Sequence, residues 1–185
     1  MRKLVLVLVA VLAFNLSNAQ SSNGIYFNNT KVNPEVITGI RAGLSVGVMV
    51  AGVGNIYSNG IITGKNSQLS VSPYNLEFNF VIENANVDDF NMDYKVGASS
   101  VSDFALVKLK SKRKRREVRI GKVGGLGAVS MSIDADDMLP FSVETTDNLN
   151  FKVKPTTVLE SGEYAFVMKS LKGIGTKVWS FSISN

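Results

Sequence analysis

The chain has 185 residues, with 20 basic against 15 acidic side chains and neither histidine nor cysteine. Without cysteine there are no disulfides, so stability has to come from burial alone. Without histidine the commonest general base and the best zinc ligand are gone, and any catalysis would fall to carboxylates, lysine or tyrosine.

At the start, Arg2 and Lys3 precede an apolar run over residues 4–14, and Ser17, Asn18 and Ala19 stand ahead of Gln20. A charged start, an apolar middle and small residues before a cut are the parts of a secretory leader. Residues 1–19 are therefore expected to be removed. That leaves 20–185 as one exported domain, periplasmic or secreted, and not a lipoprotein because no cysteine follows the leader.

Residues 36–53 carry Gly39, Gly43, Gly47 and Ala51 at every fourth position. On a helix these line one face and let another backbone approach. Yet Leu44, Val46, Val48 and Val50 alternate with Ser45, Gly47, Met49 and Ala51, which is strand periodicity. The segment reads as a Gly-rich packed helix or as a buried strand, with membrane contact as a further alternative.

From Gly60 onward the pattern is β. Leu76, Phe78, Phe80 and Ile82 alternate with Glu77, Asn79, Val81 and Glu83, as a half-buried strand requires. Similar runs occupy residues 104–110, 117–122, 128–133, 150–154, 163–169 and 177–184. In the last of these Trp179, Phe181 and Ile183 oppose Ser180, Ser182 and Ser184. The Gly-rich stretch 121–127 reads as a flexible turn. Short strands between Gly, Asn, Asp and Pro clusters predict an all-β fold, an immunoglobulin-like antiparallel β-sandwich. Residues 36–64 form a Gly-rich N-terminal elaboration, and the immunoglobulin-like part spans about 102–185. Glu160-Ser161-Gly162-Glu163-Tyr164-Ala165-Phe166 has the form of a tyrosine corner, in which the Tyr164 hydroxyl bonds upstream backbone. Tyr164 is thus expected to be structural.

Phe104-Ala105-Leu106-Val107-Lys108-Leu109, then Arg116-Glu117-Val118, then Leu159-Glu160-Ser161-Gly162-Glu163-Tyr164-Ala165-Phe166 follow in order. This layout resembles that of a group of secreted bacterial proteins with an F-x-L-V-K-L … R-E-V … L-x-x-G-E-Y-A-F pattern and no established activity. Gly24-Ile25-Tyr26-Phe27, the Gly-rich run and residues 64–80 are similar too, so the resemblance covers most of the chain after the leader. Glu160-Ser161 departs from it, since the group usually has a proline before the glycine. The resemblance implies the fold and a secreted bacterial setting, and the residues around Ala19-Gln20 are similar to export signals common in Bacteroidota. It carries over no functional residue.

The standout polar feature is the run 108–119, which holds Lys108, Lys110, Lys112, Arg113, Lys114, Arg115, Arg116 and Arg119 against one acid, Glu117. Its flanks place Ala105, Val107 and Leu109, then Val118 and Ile120, on one apolar face, so the basic run becomes the tip and one face of a hairpin. Such a tip can hold phosphates, sulfates or carboxylates with salt-dependent affinity. It can equally be a solvated tip that blunts strand edges. It lacks the interleaved aromatics of single-strand nucleic-acid binders, so no nucleic acid is expected.

Asp134, Asp136 and Asp137 are a weak calcium candidate, because their spacing departs from the EF-hand pattern and no glycine follows. An acidic loop is the competing reading. Residues 60–65 miss one spacer of a phosphate-binding loop, and Ser111-Lys112-Arg113-Lys114 matches S-x-x-K only on a charged turn.

These features favour a non-enzymatic secreted or cell-envelope interaction module without a cofactor. Its partner would be an anionic envelope polymer or lipid, met through the basic hairpin, or another envelope protein. The alternative is a structural or partner-binding subunit acting through strand edges or the Gly-rich run. A carboxylate-based enzyme comes third.

Overall fold

The computed structural model describes residues 23–44, 56–82, 98, 100–123, 129–171 and 173–184. The leader with its Gln20 junction, residues 45–53 of the Gly-rich run and residues 124–127 of the Gly-rich turn lie outside the described residues. Fourteen strands follow in order: β1 (Gly24–Phe27), β2 (Thr30–Lys31), β3 (Glu35–Leu44), β4 (Ile56–Thr63), β5 (Leu69–Val71), β6 (Phe78–Val81), β7 (Phe104–Ser111) and β8 (Arg115–Val123), then β9 (Val129–Ser130), β10 (Met138–Leu139), β11 (Phe141–Thr145), β12 (Asn150–Pro155), β13 (Gly162–Met168) and β14 (Lys177–Ile183). Single 3-10 turns at Val101–Asp103 and Ala135–Asp137 are the only helical pieces among the described residues.

The strands build two layers. One is a five-stranded sheet in the order β11-β12-β6-β1-β2. The other runs β7-β13-β14-β3-β4-β8 and closes on itself where β8 meets β7, giving a six-stranded barrel with β10 and β9 attached at its seam. Every pairing is antiparallel except β5 on β14. The all-β, antiparallel class therefore holds, and the closed barrel goes beyond the two open sheets expected. Residues 102–185 do not stand apart: β12 pairs with β6, and β14 pairs with β3.

Residues 36–44 are strand β3, paired with β4, which overturns the helical reading for that part of the Gly-rich run. The β structure also begins well before Gly60, with β1.

Strands β7, β13 and β14 are buried on both faces, so they read as nearly continuous apolar runs. Phe104, Leu106, Tyr164, Phe166, Met168, Trp179, Phe181 and Ile183 point between the layers, where they meet Ile25, Phe78, Phe80 and Val153. Aromatic rings interlock across this interface, with Phe80 edge-on to Phe104 at 5.2 Å and to Phe166 at 5.0 Å. The opposite face of the same strands supplies Ala105, Val107, Leu109, Ala165, Val167 and Val178 to the barrel interior, with Ile37, Ile62, Val118 and Ile120. The division by size follows from geometry, since a narrow barrel admits small and branched side chains while the space between sheets takes rings. The interior is filled to the point that a Cβ on Gly60 would stand 2.9 Å from Ile37 Cδ1 and 3.2 Å from Ile120 Cγ2.

Tyr164 is 2% exposed and its hydroxyl donates to the Glu160 carbonyl at 2.9 Å. That is the upstream backbone bond expected of a tyrosine corner.

Candidate functional site

Strands β7 and β8 form the expected hairpin. Lys110 pairs with Glu117 and Ser111 with Arg116, and the Lys112 amide donates to the Arg115 carbonyl at 2.8 Å to close the turn. The eight basic side chains then separate into three groups according to strand parity and neighbours.

Arg116 belongs to the first group alone. It shares its face of β8 with Val118 and Ile120, so it points into the barrel and is fully buried. It is therefore removed from the expected surface. Its guanidinium forms a bidentate pair with Glu35, Nη1 to Oε2 at 2.8 Å and Nη2 to Oε1 at 2.5 Å. Nη1 also reaches the Ser67 and Ser180 hydroxyls at 2.8 and 2.9 Å. Nη2 donates to the Thr63 carbonyl and Nε to the Gly64 carbonyl, both at 3.1 Å. Glu163 Oε2 lies 3.9 Å from Nη1 and accepts from the Ser67 hydroxyl and amide. Ser180 also donates to Glu35.

This network sits where β14 changes partner, from β3 at Lys177 and Val178 to β5 at Phe181, Ser182 and Ile183. Polar groups fill the break in the ladder and plug that end of the barrel. Gly64, at φ +95°, turns its amide onto the Lys114 carbonyl at 3.1 Å while offering its own carbonyl to Arg116. The left-handed conformation favours glycine there. The buried arginine thus anchors the turn that carries the exposed ones.

The second group is paired at the surface. Lys108 meets Glu160 at 3.3 Å, Arg115 meets Glu117 at 2.7 Å, and Arg119 meets Asp137 at 3.3 Å. The Glu160 carboxylate raises the Lys108 ammonium above the usual lysine range. The exposed Lys108–Glu160 pair contributes about 0–1 kcal/mol, so exchanging its partner costs little, whereas the Glu117 carboxylate that holds Arg115 is only 9% exposed. The third group is Lys110, Lys112, Arg113 and Lys114, all exposed and without an ion pair among the described residues. These four are the free cations of the tip.

A groove of about 290 Å³ opens beside the hairpin, lined in part by Tyr57, Asn59, Lys108, Lys110, Arg119 and Asp137. It exists because β7 and β8 pair at only two positions before β7 turns to β10 at Leu106 and Val107. The Arg119–Asp137 pair bridges the gap, and the Arg119 guanidinium lies over the Tyr57 ring at 4.1 Å. Burial pushes the Asp137 carboxyl up against the opposing pull of Arg119. Its Oδ2 is buried without a hydrogen bond despite the nearby guanidinium.

The acidic triplet does not converge. Asp134 caps the Ala135–Asp137 turn, accepting from the Asp136 amide at 3.3 Å; Asp136 is exposed, and Asp137 faces Arg119. Among the described residues no three acids are placed to hold a metal ion.

The Arg116 network was missed because its partners are remote in sequence, with Glu35 81 residues away and Ser180 64 residues away. A usable signal was present: Arg116 has the parity of Val118 and Ile120.

No family model, curated protein or solved structure matches this chain.

Proposed function

We propose that the protein is a non-enzymatic, exported cell-envelope module that uses its basic hairpin to bind an anionic polymer or lipid surface. The supporting observation is the exposed tip, where Lys110 near the end of β7 and Lys112, Arg113 and Lys114 on the turn have no ion pair among the described residues, and the buried Arg116 ties the turn down. A fixed cluster of like charge loses little entropy on binding a polyanion and gains released counterions. Export rests on the leader-like residues 1–19. We read β13, β14 and the facing five-stranded sheet as the immunoglobulin-like portion, with the Tyr164 corner and its aromatic interface as support.

Binding of the chain from Gln20 to an anionic polymer or to anionic vesicles is expected to weaken linearly in log affinity against log salt. Replacing Lys110, Lys112, Arg113 and Lys114 with Ser, while keeping Arg116, is expected to abolish most binding and lower the slope by about 3. Unchanged binding in that variant would refute the proposal.

A second reading has its own observation. Strand β11 is an edge of the five-stranded sheet and exposes Val143 at 46%, a place for another strand to add. It predicts association that is insensitive to salt.

A further inference from the structure

We infer that the outer barrel face running from the hairpin to Arg41 is a binding site for an acidic polysaccharide, a polymer bearing both carboxylates and hydroxyls. The inference rests on the anion-binding reading and names its ligand.

The register brings the site together. Arg41 pairs with Asn59, and Asn59 pairs with Arg119. Residues directly opposite in a ladder share a face. Arg41, Asn59 and Arg119 therefore form one row across β3, β4 and β8, with arginines on either side of an amide. At about 4.8 Å per strand the two arginine backbones stand roughly 10 Å apart. Arg41 is exposed and comes from the Gly-rich segment, far in sequence from the basic run. One row further, Ile61, Glu117 and Lys110 lie opposite one another and lead to the tip.

The groove gives this face its selectivity. The Arg119 guanidinium lies over the Tyr57 ring and beside Asp137, which hold it in place while its remaining N–H groups suit a carboxylate. Between the cations sit groups that accept hydrogen bonds, the Asn59 amide oxygen and the Asp137 carboxylate, whose side chain is 30% exposed although its Oδ2 is buried against Arg119. A ligand that is only anionic would meet Asp137 and Glu117 as repulsion. A ligand with hydroxyls between its charges can instead donate to the Asn59 amide oxygen and to the exposed part of the Asp137 carboxylate. The tip adds no apolar side chain over residues 110–115, so it offers nothing to insert into a bilayer. Both features favour a hydrated acidic glycan over a membrane.

The test uses the chain from Gln20 with three probes: polygalacturonate, linear polyphosphate, and vesicles of phosphatidylglycerol in phosphatidylcholine. Polygalacturonate is expected to bind at least ten-fold tighter than polyphosphate at equal charge. The pair Arg41→Gln with Asn59→Ala, both exposed or half-exposed positions, is expected to weaken polygalacturonate about ten-fold and polyphosphate less than three-fold, with an unchanged thermal midpoint. The tip variant Lys112→Ser, Arg113→Ser, Lys114→Ser weakens both. Equal affinity for the two polymers, or a double variant that binds polygalacturonate as the parent does, overturns the inference and leaves the anion-binding reading standing. Binding to vesicles alone does the same. Binding to none of the three overturns both.

Discussion

Arg116→Met separates a buried anchor from a surface cation. Methionine keeps the length of the stem while removing the charge and every donor. In the parent the guanidinium contacts Glu35 twice, Ser67, Ser180 and the carbonyls of Thr63 and Gly64. After the substitution Glu35, with 18% of its side chain exposed, and Glu163, with 8%, face each other without the intervening cation. Removing one member of a buried pair costs about 3–5 kcal/mol, most of it the price of stranding the other charge. With a urea dependence of about 2 kcal/mol/M, the denaturation midpoint should fall by about 1.5–2.5 M. Arg113→Met on the exposed tip is the control, expected within about 0.5 kcal/mol of the parent. Converting both Arg116 and Glu35 to Met should recover part of the loss, because the fork's bidentate carboxylate is then gone and only Glu163 stays stranded. The measurement is equilibrium urea denaturation followed by circular dichroism. Midpoints for Arg116→Met and Arg113→Met that agree to within about 0.5 M urea would refute the buried assignment and return Arg116 to the surface.

Two further outcomes follow from single groups. Tyr164→Phe deletes the hydroxyl bond to Glu160 and is expected to cost about 1 kcal/mol in the same assay; an unshifted midpoint would mean that the corner contributes nothing. Asp137 has a folded pKa above its unfolded one, so ionising it costs stability as pH rises from the ordinary carboxylate range through the raised value. Asp137→Asn should therefore be more stable than the parent at pH 7 and match it near about pH 3. A difference that persists in acid would contradict this sign.

The strands legible in the sequence were those with a sharp difference between faces or with apolar residues on both. Leu76, Phe78, Phe80 and Ile82 are all buried, as their alternation implied. Residues 104–110, 150–154, 163–169 and 177–184 lie almost exactly on β7, β12, β13 and β14. Strand β11 was not legible, because Ser142, Val143, Glu144 and Thr145 are all exposed and leave no pattern. Strand β3 was ambiguous for a different reason: a bulge between Ile37 and Gly39 breaks its alternation. In the site, the hairpin and its charged tip could be read directly. Arg116 could not be separated from its neighbours by charge, because parity alone distinguishes it. Ser180 was placed correctly opposite Trp179 and Phe181, yet it faces a barrel interior and not solvent, since closure of a sheet gives it a second inside. Arg41 joined the basic face only through strand pairing, which composition does not encode.

The position of β14 bears on the order in which the molecule can form. This strand is the late partner of three others, β13, β3 and β5, drawn from both ends of the described chain. Until it arrives, the barrel lacks a wall, and the aromatic layer lacks Trp179 and Phe181. The Arg116–Glu35 pair also lacks the Ser180 hydroxyl that completes its shell. Contacts that span the chain carry a large loop-closure entropy before any of them is rewarded. The barrel and the aromatic interface therefore cannot be finished before β14 joins them, whereas the five-stranded sheet pairs without it. β14 is thus the strand whose docking completes both the barrel wall and the aromatic interface.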